Sequence, residues 1–227
     1  MEIAAIIVAR KGSVRIKNKS MSILGGETLI ARKIRQLKKV DLVDRIIVGS
    51  NSDEILHEAT IHGAEAVRRD DFFCDEKRAS ANDMLYNMAE MIQTDLIVWT
   101  HCTNPFLSSG TYSLAIQTYL NNVPNFDSLL SVRCLQEHLW GPTKKPLNYD
   151  PYSSRHTPAR ELPKYYMQDG GIFIQPREAM LSNRYFFGSS PFLYEIPEIE
   201  FCDINNEYDL KMARARLMLE TGILGNP

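Results

Sequence analysis

The chain begins with Ile3-Ala4-Ala5-Ile6-Ile7-Val8, a short unbroken apolar run of the kind that forms a strand covered on both faces. Leu29, Ile30, Ile34 and Leu37 then recur at helical spacing, with Lys38-Lys39 in the last turn, where cations oppose the helix dipole. Arg45–Ser50 (RIIVGS) predicts a second buried strand. Asn51 is placed to cap the following helix, with Glu54 three positions on and an end near His62-Gly63. Glu65–Arg68 predicts a short third strand. Ser80 and Asp83 form an S-x-x-D capping box ahead of Met84, Leu85, Met88, Met91 and Ile92, which share one helical face. Leu96–Thr100 (LIVWT) predicts a fourth strand, Thr111–Leu120 a helix and Ser128–Val132 a fifth strand. This alternation implies an α/β fold with a mostly parallel, twisted sheet and helices on both faces.

The rhythm breaks at about 136–168, where Pro142, Pro146, Pro151, Pro158 and Pro163 are interleaved with Tyr149, Tyr152, Tyr165 and Tyr166. The segment is too long and too aromatic for a linker, and predicts an ordered arm inserted into a single domain spanning 1–227. Strand character returns at Gly171–Gln175 and Phe192–Ile196. The last predicted helix is Asn206–Glu220, with Leu210, Ala213 and Leu217 on its apolar face.

Composition narrows the function. With 227 residues, 44% of them hydrophobic, the chain can bury a substantial core. No apolar stretch is long enough to span a membrane, and a net charge of −2 argues against general nucleic-acid binding. Cys74, Cys102, Cys134 and Cys202 form no C-x-x-C pair, so free thiols in a reducing, cytoplasmic compartment are expected. Charge is nonetheless uneven. No acidic residue lies between Glu2 and Glu27, while Arg10, Lys11, Arg15, Lys17 and Lys19 crowd the loop after the first strand.

Ligands of open α/β sheets bind beyond the carboxyl ends of the strands, where this loop falls. Gly12 and Ser13 allow a tight turn whose N–H groups can face an anion, and Arg10, Arg15 and Lys19 supply fixed positive charge. Both the G-x-x-x-x-G-K-[ST] and the G-x-G-x-x-G patterns are absent, so the loop is neither a P-loop nor a dinucleotide fingerprint.

The loop A-R-K-G-S-V-R-I-K-N-K-S (9–20), followed by G-G-E-T-L-I, resembles the acylneuraminate cytidylyltransferase family, which extends to legionaminic and pseudaminic acid enzymes. Collinear matches follow in R-I-I-V-G-S-N-S-D, the stretch from Arg69 to Ser80, T-H-C-T-N-P-F (100–106) and D-I-N-N-E-Y-D-L (203–210). The resemblance implies a Rossmann-like nucleotide-diphospho-sugar transferase fold whose Pro- and Tyr-rich arm forms a homodimer. It implies CMP transfer from CTP to the anomeric hydroxyl of an acidic nine-carbon sugar, with release of pyrophosphate. Arg10 and Lys19 would hold the triphosphate, with Ser13 and Arg15 completing the loop and Arg69 and Ser80 on the base or ribose side. His101, Thr103, Asn104, Arg160 and Asp169 would lie towards the acceptor. Asp203, with Asn205, would bind Mg²⁺.

Four positions depart from the family pattern: Ser20 and Asp169 stand where asparagine is usual, His101 where glutamine is usual, and Asn205 where a second aspartate is usual. Asn205 removes a negative charge from the metal site. These changes keep two alternatives open, a same-fold nucleotidyltransferase with another anionic acceptor and a non-catalytic nucleotide-binding protein. A Kdo-activating enzyme is disfavoured because a Q-G-D-E-P element is missing. Capping roles compete for Ser80 and Asp203, and solvation for Arg160. The closeness of the last helix to the end of the sequence leads to the expectation of no second catalytic domain.

Overall fold

A computed structural model describes residues 1–13 and 15–220. Its elements in chain order are β1 (Ile3–Val8), β2 (Ile23–Leu24), β3 (Glu27–Thr28), α1 (Leu29–Leu37), β4 (Arg45–Ser50), α2 (Asp53–Ile61), β5 (Glu65–Arg68), α3 (Asp71–Cys74), α4 (Ala81–Glu90), β6 (Leu96–Thr100), α5 (Ser109–Asn122), β7 (Ser128–Leu135), β8 (Tyr165–Pro176), α6 (Arg177–Asn183), β9 (Pro191–Glu195) and α7 (Glu207–Glu220). A seven-stranded sheet runs in the order β5-β4-β1-β6-β8-β7-β9. All neighbours are parallel except β8, which is antiparallel to both β6 and β7. The mostly parallel sheet predicted above is therefore observed, with one reversed strand near its centre.

Alternation along the strands sorts the core into two layers. Ile3, Ala5 and Ile7 of β1 join Leu29, Ile34, Ile55, Tyr112 and Leu210 on one face, which carries α1, α2, α5 and α7. Ala4 and Ile6 point the other way, towards Leu85 and Met88 of α4 and Met180 of α6. Each fully buried side chain of this size contributes about 1.5–3 kcal/mol, so the two layers hold the sheet from both sides.

Local signals account for most boundaries. The Ser80–Asp83 capping box forms as predicted and starts α4. Thr28 caps α1 by accepting the Ala31 N–H at 3.1 Å. Gly25 and Gly26, both at positive φ, turn the β2–β3 hairpin that precedes it, a turn the apolar pattern does not reveal. Asn51 does not cap α2. The helix starts later, and the Asn51 side chain instead ties the basic loop down: its Oδ1 accepts the Lys11 N–H at 2.9 Å while its Nδ2 donates to Asp71 at 2.8 Å.

The 136–168 arm grows out of the sheet. β7 and β8 continue past the sheet as an antiparallel ribbon, pairing Arg133 with Met167 and Leu135 with Tyr165. Strand β8 thus begins well before the predicted Gly171, and its first residues are the foot of the arm. Further out the arm folds on itself through a Trp140–Pro146 bridge and a stack of His138 on His156.

Candidate active site

The carboxyl ends of β1, β5 and β6 open into a cleft made of two adjoining cavities of about 250 and 190 Å³, which share Val8, Arg10 and Glu76. The smaller is walled by the basic loop: Ser13, Arg15, Lys19 and Ser20, with Cys102 and Thr103 opposite. The larger reaches Arg69, Phe73, Ser80, Met84 and His101. Gly12, at φ +77, bends the loop in a conformation that other residues resist.

Lys19 is half-buried, and its Nζ donates to the Ile204 carbonyl at 3.0 Å. Burial pushes its pKa below the ordinary lysine value, with the Asp203 carboxylate opposing the shift and Arg15 adding to it. Arg10 Nη2 pairs with Glu76 at 2.7 Å, and its Nη1 donates to the Cys74 carbonyl at 3.3 Å. The Glu76 side chain is exposed, so this pair contributes roughly 0.2–1 kcal/mol and yields readily to a multivalent anion. Ser13 and Arg15 line the smaller cavity.

Arg69, expected on the base or ribose side, lines the larger cavity and also has a structural part. It is 2% exposed, and its Nη2 donates to the Phe73 and Met84 carbonyls at 3.3 and 3.2 Å while Nε reaches Asn87. It lies at the cavity wall and braces the chain between α3 and α4. Ser80 both caps α4 and lines the cavity, so capping and ligand contact coexist.

On the other side, Asp203 and Asn205 flank Ile204. The Ile204 N–H donates to the Thr103 carbonyl at 2.9 Å, anchoring this segment beside the 101–105 loop. Asn205 Nδ2 donates to Asp203 Oδ2 at 2.5 Å, where a second carboxylate would repel it. The α7 cap is formed by other residues: the Asn206 side chain accepts the Asp209 N–H, and Asp209 accepts the Asn206 N–H in return. Asp203 is free of that duty. Among the described residues no group of three or more His, Cys, Asp or Glu side chains could enclose a metal. The donor set of one carboxylate and one amide fits a magnesium ion that takes its remaining oxygens from water and a nucleotide's phosphates.

The remaining predicted acceptor residues are placed unevenly. Thr103 lines the phosphate-side cavity. Asn104 is buried, its Nδ2 donating to the carbonyls of Asp169 and Cys202 at 3.1 and 3.2 Å. Asp169 is 6% exposed; its Oδ1 accepts Ser131 Oγ–H and the Gly171 N–H, the latter at 3.0 Å, so the carboxylate shapes the turn from within. His101 lines the larger cavity, but both ring nitrogens are engaged. Trp99 Nε1 donates to Nε2 at 3.3 Å, which leaves the proton on Nδ1 to donate to the Gly170 carbonyl at 2.7 Å. Burial lowers the His101 pKa, and the Trp99 N–H occupies the Nε2 lone pair on which the ring would accept a proton. Arg160 is exposed on the arm and lines neither cavity. Glu76 and Lys33 carry no sequence signal beyond their charge.

Fold and cleft together are those of an α/β protein whose basic loop, directly after the first strand, walls a cavity at the carboxyl edge of the sheet. Residues 4–207 match the profile of a family described as Cytidylyltransferase, and the chain belongs to that family: it is an enzyme, a nucleotidyltransferase. It is 25% identical to a pseudaminic acid cytidylyltransferase of Campylobacter jejuni, covering 94% of this chain and 95% of the relative. It is 23% identical to an N-acylneuraminate cytidylyltransferase of Escherichia coli, over 93% of this chain and 51% of that one. In fold it is similar to a CMP:2-keto-3-deoxy-manno-octonic acid synthetase complexed with CTP, at a TM-score of 0.71 and 15% identity, covering 97% of this chain and all of the other. No helix among the described residues is long and apolar enough to cross a membrane.

Proposed function

We propose that the enzyme transfers CMP from CTP to the anomeric hydroxyl of an acidic nine-carbon sugar of the pseudaminic, legionaminic or sialic type. The observation that carries this reading is the match, along nearly the whole of both chains, to a pseudaminic acid cytidylyltransferase. In the reaction the hydroxyl oxygen bonds to the α-phosphorus as the bond to the bridging oxygen breaks, and pyrophosphate leaves.

The basic loop suits the departing half. Lys19 and Arg10 would neutralise the charge that accumulates on the pyrophosphate, with Ser13 and Arg15 as further donors; what supports this is that all four line one cavity. When CTP enters, Arg10 exchanges Glu76 for phosphate oxygens. Asp203 and the Asn205 amide oxygen would hold Mg²⁺. The chemistry such an ion would supply there is neutralisation of charge on the phosphates. The 101–105 loop and the 169–171 turn shape the acceptor side, and their rigidity orients the hydroxyl for in-line attack. A homodimer through the arm, in the cytoplasm, completes the proposal. There Arg160 would meet the acceptor carboxylate of a neighbouring site.

Pyrophosphate release should be measured with CTP and Mg²⁺ across pseudaminic, legionaminic, sialic and Kdo acids, with UTP, ATP and GTP as controls. CTP-dependent release with one nine-carbon acid is expected. CTP binding without turnover of any acid would overturn the acceptor assignment and leave the family intact.

A further inference from the structure

The buried face of α1 is apolar at Leu29, Ile30, Ile34 and Leu37, yet position 33 on that face is a fully buried lysine. Burying an ammonium is costly unless it is hydrogen-bonded, and replacing a buried charge by an apolar side chain of similar volume is often neutral or stabilising. Stability alone therefore gives no reason for a lysine here. Its partners suggest another.

Lys33 Nζ donates to the Asn104 carbonyl at 2.8 Å and to Tyr112 Oη at 2.7 Å. Tyr112 Oη lies 2.6 Å from Thr100 Oγ1, which donates to the Gly171 carbonyl at 2.7 Å. From the other end of the same residue, Asn104 Nδ2 donates to the carbonyls of Asp169 and Cys202. One buried amino group thus joins α1 to three segments that meet at the acceptor side: the 101–105 loop, the 169–171 turn and the stretch leading to Asp203. Asp169, a carboxylate where the family resemblance places a neutral amide, keeps its Oδ2 buried without a hydrogen bond. The Lys33 charge is felt across this cluster, and Asp169 acts on Lys33 in return.

We propose that Lys33 is a positioning residue for the acceptor half of the site. It lines neither cavity of the cleft and acts through Asn104 and Tyr112, holding the 101–105 loop against the 169–171 turn. The kinetic part of this inference rests on the acceptor reading given above; the structural part does not.

The test compares Lys33→Met, which keeps length and apolar packing, with Tyr112→Phe, which removes one hydroxyl. Expected for Lys33→Met is a fall of roughly tenfold to a hundredfold in kcat/KM for whichever nine-carbon acid is turned over, the cost of a misplaced reactant. CTP affinity by calorimetry should stay within about twofold and Tm should hold or rise. Amide exchange should quicken in residues 101–105 and 169–172 and not in 9–20. Tyr112→Phe should move the same quantities in the same direction by less. A lower Tm with acceptor and CTP terms falling together would make Lys33 merely structural and overturn the proposal, as would unchanged kinetics and exchange. If the native enzyme turns over no acid, the acceptor reading fails and exchange decides alone. A local increase supports positioning, and no increase in either variant overturns it.

Discussion

The two ends of the cleft are built from opposite materials. The end proposed for the triphosphate is a loop of charged side chains, with Lys11, Arg15 and Lys17 exposed and Arg10 and Lys19 partly so, held by contacts that a ligand can replace: Arg10 on Glu76, and Lys11 on Asn51 through its backbone. The end proposed for the acceptor is backed by a buried network in which Asn104, Asp169, Thr100 and Tyr112 bond to backbone or to one another, with little left for solvent. A triphosphate carries enough charge to organise flexible cations around itself. An uncharged sugar hydroxyl does not, so its geometry has to be set before it arrives.

If that contrast is right, the largest single effect should come from the residue that belongs to both ends. Lys19 faces the phosphate cavity and donates to Ile204 beside Asp203, so Lys19→Ala should lower CTP-dependent pyrophosphate release by about a hundredfold or more. A loss under about fivefold would mean the loop charges are interchangeable.

The buried end should announce itself in stability against pH. Burial lowers Lys33 to about 7, so above that pH the unfolded chain binds a proton the folded chain does not, and stability rises. Cys102 and Cys202 are pushed up to about 11 from the ordinary 9.0; above pH 9 the unfolded chain gives up protons the folded chain keeps, and stability falls. Thermal unfolding should therefore show Tm climbing from pH 7 to a maximum near pH 9, a gain on the order of 2 kcal/mol. Lys33→Met should flatten the rising limb while leaving the falling one. A rising limb that survives the variant would detach it from the network.

At the metal-proposed edge, Asn205→Asp exchanges a hydrogen-bond donor to Asp203 for a second carboxylate. The Mg²⁺ concentration giving half-maximal rate should fall by roughly threefold to tenfold. Strong activation at saturating Mg²⁺ would instead indicate a site that had lost function through the amide. The smallest effect belongs to the exposed ion pair. Glu76→Gln frees Arg10 and should tighten CTP binding by about twofold, and the gain should vanish in an Arg10→Ala background. Weaker binding would show that Glu76 itself contacts the nucleotide.

The same contrast explains what could be read in the sequence. The phosphate end was legible because its charges sit within ten positions directly after the first strand, and Ser80–Asp83 because a capping box is local. The acceptor end was named in part, as His101, Thr103, Asn104 and Asp169, through resemblance to a family. What those side chains do there was hidden. Lys33 at a helical spacing reads as one more surface cation, and only Tyr112 and Asn104, some seventy or more positions away in sequence, make it an interior one. Asp169 reads as a ligand group until Ser131, at the irregularity between β7 and β8, turns its carboxylate inward. The reversed strand β8 escaped for a similar reason: local pattern reports a strand's existence, while its direction depends on the arm that precedes it.

That reversed strand ties two distant places together. Residues 165–176 are one continuous piece of backbone that serves as the arm's foot, the wall beside His101 and the middle of the sheet. Between these stretches lies Gly170, a residue at φ +72 whose carbonyl accepts from the His101 ring. The break in register between Leu130 and Val132 separates the arm's ribbon from the stretch of β8 that pairs with β6. The surface arm and the cleft are therefore joined by a single strand, with no loop between them.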